Sequence, residues 1–201
     1  MQFTIKHNFP EVQKALDKLH QDIADKAVAS ALNKIVAQAR TAMRREIVAE
    51  FNITSTKVDQ ALRITRAAAG RGQIYMQATL ESPAKRGRSM NLINFMEKSV
   101  SLAQARKRKK AGTLGELFIQ IKRRGGKKGL GDAFIGNKGR TVFVRLGKSR
   151  LPIKALQTID VAQMFNAKRI NSKVVQLIED KFPAVFANEV RFYTAKFNGA
   201  R

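Results

Sequence analysis

The side chains best suited to chemistry are cations in three dense clusters. Lys85, Arg86 and Arg88 form the first, Arg106, Lys107, Arg108, Lys109 and Lys110 the second, and Lys122, Arg123, Arg124, Lys127 and Lys128 the third. Ammonium and guanidinium groups at this density bind anions: the phosphates of a nucleic acid, or the carboxylates of an acidic protein surface. Glycines interleave with them (Gly87, Gly125, Gly126, Gly129). Glycine with arginine suits contacts to a phosphate backbone, which position a duplex without reading its bases. No helix-turn-helix, zinc-finger or RNA-recognition aromatic signature accompanies the clusters, so sequence-specific reading is not expected.

Catalytic constellations are missing by comparison. Gly147-Lys148-Ser149 has the end of a phosphate-binding loop, but Val142 stands where that motif requires its first glycine. Gly126 to Gly131 is glycine-rich but sits among lysines between strands, with no helix after it. His7 and His20 lie apart from each other and from any metal-ligand spacing. Asp132 has no second carboxylate placed for acid–base work. No enzyme and no cofactor are expected.

The charge is uneven as well as large. The chain of 201 residues carries a net +24. From Lys85 to Arg150, 19 Lys or Arg face only Glu97, Glu116 and Asp132, so this third of the chain holds +16 of that total. Apolar content is 44%, ordinary for a folded domain. Cysteine is absent, which removes disulfides and thiolate metal sites and fits a cytosolic product. The N-terminus has no apolar secretion signal, and no run reaches the roughly 18 apolar residues of a membrane span. One domain over 1–201 is expected.

Helices must frame the basic region. Asn8-Phe9-Pro10-Glu11 reads as a helix start, and Val12, Leu16, Leu19, Ile23, Ala27, Ala31 and Ile35 form an apolar stripe that Ala39, Met43 and Ile47 extend. A helix arm over 10–50 would be about 60 Å long at about 1.5 Å per residue. Part of it is expected to project or pack on a neighbouring subunit. A short strand over Gln2 to Lys6 precedes it. Thr54-Ser55-Thr56 should cap a short helix from Lys57 to about Gln60.

A β-rich basic region over 61–165 follows. Leu62 and Ile64 begin one strand, Gly70-Arg71-Gly72 turns, and Gln73 to Leu80 alternates as a second, with Ile74, Met76, Ala78 and Leu80 on one face. Met90 to Met96 is an apolar patch, and Leu117, Ile119 and Ile121 resume the sheet. Ala133-Phe134-Ile135 and Thr141 to Leu146 flank Gly136-Asn137-Lys138-Gly139 as a hairpin with a four-to-five-residue loop. Gly147 to Arg150 turns, and Leu151-Pro152-Ile153 is extended. Asn171-Ser172 should cap a C-terminal helix over 171–197. Its stripe is Val175, Ile178, Phe182, Phe186, Val190, Tyr193 and Phe197, with a kink or break at Pro183. The expected fold is α+β: a mixed or antiparallel sheet of four to five strands, flanked by a long N-terminal and a kinked C-terminal helix.

The run Asp132-Ala133-Phe134-Ile135, the strand Thr141 to Leu146, and Arg150-Leu151-Pro152-Ile153 leading to Val161-Ala162-Gln163-Met164-Phe165 resemble the prophage minor tail protein Z family, the tail-completion proteins of long-tailed phages. Order and pattern carry the similarity over nearly the whole chain. It departs at Thr158-Ile159-Asp160, where many related proteins have Gly-Pro-Ser. The resemblance implies a structural protein of the virion, made in the host cytoplasm and acting late in assembly at the neck, the head-proximal end of the tail. It also implies a homo-oligomeric ring, six copies favoured, that admits DNA. Its partners would be tail terminator, tail tube and head connector proteins, with the DNA end in a basic lumen. A free nucleic-acid-binding protein, monomeric or dimeric, is the main alternative from the residues alone.

Overall fold

The computed structural model describes residues 2–5, 21–70, 73–83, 89–96, 117–131 and 133–198. The architecture is α+β, as expected. β1 (Gln2–Ile5) precedes a long helix α1 (Gln21–Glu50), and α2 (Ser55–Ala61) follows. Short strands come next: β2 (Arg63–Thr65), β3 (Ala68–Gly70), β4 (Gln73–Tyr75), β5 (Ala78–Glu81) and β6 (Met90–Asn91). Then come β7 (Phe118–Ile119), β8 (Lys128–Gly129), β9 (Phe134–Gly136), β10 (Thr141–Arg145), β11 (Ile153–Ala155) and β12 (Gln157–Thr158). α3 (Val161–Phe165) and α4 (Lys168–Asn198) complete the described chain. The expected helix start at Asn8-Phe9-Pro10-Glu11 lies outside the described residues.

α1 is the central element. Ala27, Ala31, Ile35, Ala39, Met43 and Ile47 are buried, which is the stripe read from the sequence. Val28, Leu32 and Val36 form a second buried row beside it. The reason is that α1 meets α4 and also β5, β3 and α2, so a wider arc of its surface is covered. At about 1.5 Å per residue its 30 residues span about 45 Å, and Ile23 is already buried near its start. The described helix is therefore core rather than a projecting arm.

α4 runs antiparallel to α1. Near one end of the pair, Lys173 bonds Glu46 at 2.5 Å. Near the other, Glu189 accepts hydrogen bonds from Ser30 Oγ (2.6 Å) and from the Lys34 ammonium. Burial pushes the Glu189 carboxyl up, but the bonds from Lys34 and Ser30 and the Lys34 charge outweigh it and hold its pKa below the usual range. α4 begins at Lys168, so Asn171 and Ser172 lie inside the helix instead of capping it. The cap went upstream: Asp160 accepts from the Gln163 N–H at 2.8 Å while the Gln163 side chain accepts from the Asp160 N–H, a capping box that starts α3. A second helix follows after Asn166 and Ala167. α4 continues through Pro183 as one helix, and Val174 is buried where Val175 was expected. Ile178, Phe182 and Phe186 face the core as read, while Phe197 at the end of the stripe is exposed.

The strands do not form one sheet of four to five. They make two antiparallel three-stranded sheets, β1-β5-β2 and β11-β10-β9, and three two-stranded pairs, β12-β6, β3-β4 and β7-β8. The expected strand Gln73 to Leu80 is split. β4 pairs back on β3, and β5 joins β1 and β2. Alternation also fails in β5, because Ala78, Thr79 and Leu80 are all buried. A middle strand that also meets α1 loses its solvent face. The β9–β10 hairpin is as expected, and its turn places Asn137, Lys138 and Gly139 at positive φ.

Two asparagines tie these pieces together. Asn33 of α1 donates to the Ala67 carbonyl and accepts from the Ala67 N–H, both at 2.9 Å. Asn91 donates to the Val142 carbonyl (3.3 Å) and accepts from the Val142 N–H (2.9 Å). Asn33 thereby satisfies both backbone groups of Ala67, while Asn91 satisfies the Val142 N–H and adds a second donor to a carbonyl that already accepts from the Leu156 N–H at 2.9 Å. Asn91 serves a second, smaller core of Leu92, Leu117, Ile119 and Val142, beside the larger one built on α1 and α4.

Candidate anionic-partner surface

The third cationic cluster is an ordered turn between β7 and β8, not a loose loop. The Gln120 amide donates to the carbonyls of Arg123 (3.0 Å) and Gly125 (2.9 Å), and the Gly125 N–H donates to the Lys122 carbonyl at 2.9 Å. Lys122, Arg123, Arg124, Lys127 and Lys128 are all exposed on it.

This turn folds onto the C-terminal end of α1, where helix carbonyls lack intrahelical partners. The Arg123 N–H donates to the Glu50 carbonyl at 2.9 Å, and its Nε donates to the Val48 carbonyl at 2.6 Å. The Asn52 N–H donates to the Ile121 carbonyl at 2.8 Å. Lys122 lies 3.8 Å from the Glu50 carboxylate and 6.0 Å from the centre of the Phe51 ring. Cations at a helix C-terminus also offset its partial negative charge. Arg123 is thus a cap supplied from a distant turn, a role its sequence context did not reveal.

The docking brings together cations that are far apart in the chain. A cleft of about 300 Å³ is lined by Glu46, Ala49, Glu50, Lys122, Arg124, Arg169 and Lys173. A neighbouring depression is lined by Arg44, Arg45, Val48, Ala49, Ser55 and Arg123. Carboxylates occupy some of these cations: Glu50 pairs with Lys122, Glu46 with Lys173, and Asp59 with Arg44 at 2.7 Å. Among the described residues, Arg45, Arg124 and Arg169 have no ion-pair partner, and they offer donors to an external anion. Sequence reading missed Arg44, Arg45, Arg169 and Lys173, because none lies in a dense run. The one signal was Arg44-Arg45 near the end of a long helix.

Lys85, Arg86, Arg88, Arg106, Lys107, Arg108, Lys109 and Lys110 lie outside the described residues, as do His7, His20, Glu116 and Asp132. Among the described residues no group of three or more His, Cys, Asp or Glu is placed to hold a metal ion. No described helix is long and apolar enough to cross a membrane.

No match is found among curated proteins or among solved structures. The family model for prophage minor tail protein Z matches residues 11–197, nearly the whole chain, and the protein belongs to this family of structural components of the phage tail.

Proposed function

We propose that this tail protein completes the tail at its head-proximal end, as a ring of identical copies, six favoured, through which DNA passes. Its partners there are the tail terminator, tail tube and head connector proteins. It acts by surface complementarity and charge, without turnover. The observation that carries the reading is that Arg45, Arg124 and Arg169, from three separate segments, line two depressions that share Ala49 near the end of α1. Such a face turned toward a lumen would contact the phosphate backbone without reading sequence. The clusters Lys85 to Arg88 and Arg106 to Lys110 would add to the same contact.

The test uses Arg45→Gln, Arg124→Gln and Arg169→Gln together, which spares the cations paired to carboxylates and the capping Arg123. DNA affinity measured against salt should lose steepness by about 0.9 in log–log slope for each contact removed. An unchanged slope would remove DNA from this face. Electron microscopy of assembled tails should show the protein as a closed ring. Strong DNA binding by a chain that never enters tails would instead favour a free nucleic-acid-binding protein.

A further inference from the structure

The sheet β9-β10-β11 has one covered and one uncovered face. Side chains alternate between faces along a strand. Val142, Ile135 and Leu156 pack into the smaller core on one side. On the other, Phe134 and Phe143 stack at 5.9 Å, the Arg145 guanidinium lies 4.9 Å from the Phe134 ring centre, and Ile153 stands opposite Arg145 in the register. Beyond them the β10–β11 turn reaches into solvent. Every residue from Arg145 to Lys154 is exposed, including Leu146 at 62% and Leu151 at 66%.

This tip is held in shape by its own contacts. Arg145 Nη1 donates to the Arg150 carbonyl at 2.7 Å, and the Leu146 N–H donates to the Pro152 carbonyl at 3.1 Å. Leu146, Leu151 and Ile153 are therefore presented to water on an ordered turn, a preorganised apolar contact. Its surroundings have one sign of charge. Residues 133–159 contain Lys138, Arg140, Arg145, Lys148, Arg150 and Lys154, and no aspartate or glutamate.

We infer that this tip docks on another protein of the tail, one that offers an apolar contact rimmed by carboxylates. Charge complementarity selects the occupant. Exposed aliphatic side chains interleaved in sequence with cations match an apolar contact rimmed by carboxylates, which steers encounter and rejects basic partners. A phosphate backbone gives three aliphatic side chains nothing to bury against. A second copy would bring the same cations to a chain already at +24. The inference does not rest on the reading of the α1 end as a DNA-contacting face.

Two experiments on the full chain in assembled tails test it. A benzophenone amino acid at Leu151, irradiated in the tail, should form an adduct with a segment of a different protein richer in Asp and Glu than in Lys and Arg. An adduct with DNA, with a second copy or with a basic segment overturns the inference, as does incorporation without any adduct. Separately, Leu151→Ser with Ile153→Ser should leave the thermal transition in place and reduce incorporation into tails at least tenfold. Lys148→Glu with Arg150→Glu gives the same readout without touching the apolar residues. Wild-type incorporation of either well-folded variant overturns the docking surface.

Discussion

The helical half and the β-rich half solve different problems with similar residues. Around α1 and α4, cations are matched to acids across the interface: Lys34 with Glu189, Lys173 with Glu46, Arg40 and Arg44 with Asp59. Beneath those pairs lies a deep core with Leu32, Ile35, Met43, Phe165 and Phe182 at or near zero exposure. Around β9, β10 and β11, the cations have no neighbouring acids in sequence, and the core beneath them has four buried residues, of which only Val142 is at zero exposure. Matched charges and a large core hold a fold. Unmatched charges over a small core are the features on which the inferred docking surface rests.

The sharpest way to break this comparison is to cut each core. Phe182→Ala should cost about 3–5 kcal/mol and Ile119→Ala nearer about 2 kcal/mol, since fewer neighbours surround it. Denaturant unfolding followed by two probes measures both. Equal costs would mean the smaller core is as well packed as the larger.

The asparagine clamps come next in size. Asn33→Ala strands the N–H and carbonyl of Ala67 and Asn91→Ala strands the N–H of Val142, each at about 1–3 kcal/mol. Asn91→Ala should in addition raise amide hydrogen exchange at Val142 and its neighbours, while Asn33→Ala acts at Ala67. Exchange that rises uniformly in both variants would show that the halves open as one unit.

Glu189 sharpens the contrast through pH. Its folded pKa is depressed, so its contribution is present above the ordinary glutamate value of about 4.3 and is lost as pH falls through the lower folded value. The difference in melting temperature between the wild type and Glu189→Gln should shrink as pH falls below about 4. A constant difference would mean that the Lys34 and Ser30 contacts hold a neutral glutamic acid equally well.

The smallest effect separates a capping cation from a free one. Arg123→Ala removes the bond to the Val48 carbonyl and should cost about 1 kcal/mol, whereas Arg45→Ala should stay within about 0.5 kcal/mol. Equal melting temperatures for the two variants would deny Arg123 its capping role.

Local pattern alone determined a good deal. The charge and its concentration in the middle, the stripe of α1, the Ile178-Phe182-Phe186 face of α4 and the β9–β10 hairpin all follow from spacings of two to four residues, which report on one element at a time. Patterns of that range break down where an element is covered on more than one side. The Val28-Leu32-Val36 row and the fully buried Ala78-Thr79-Leu80 show this. What the tertiary structure alone decided is which distant groups meet. Ser30 and Glu189 are 159 positions apart, and Arg123 lies 75 positions from the Val48 carbonyl it binds. Nothing in the residues near Arg123 distinguishes it from Arg124, yet one caps a helix and the other faces an open cleft. The difference comes from where α1 ends in space, and that is fixed by the packing of the whole chain.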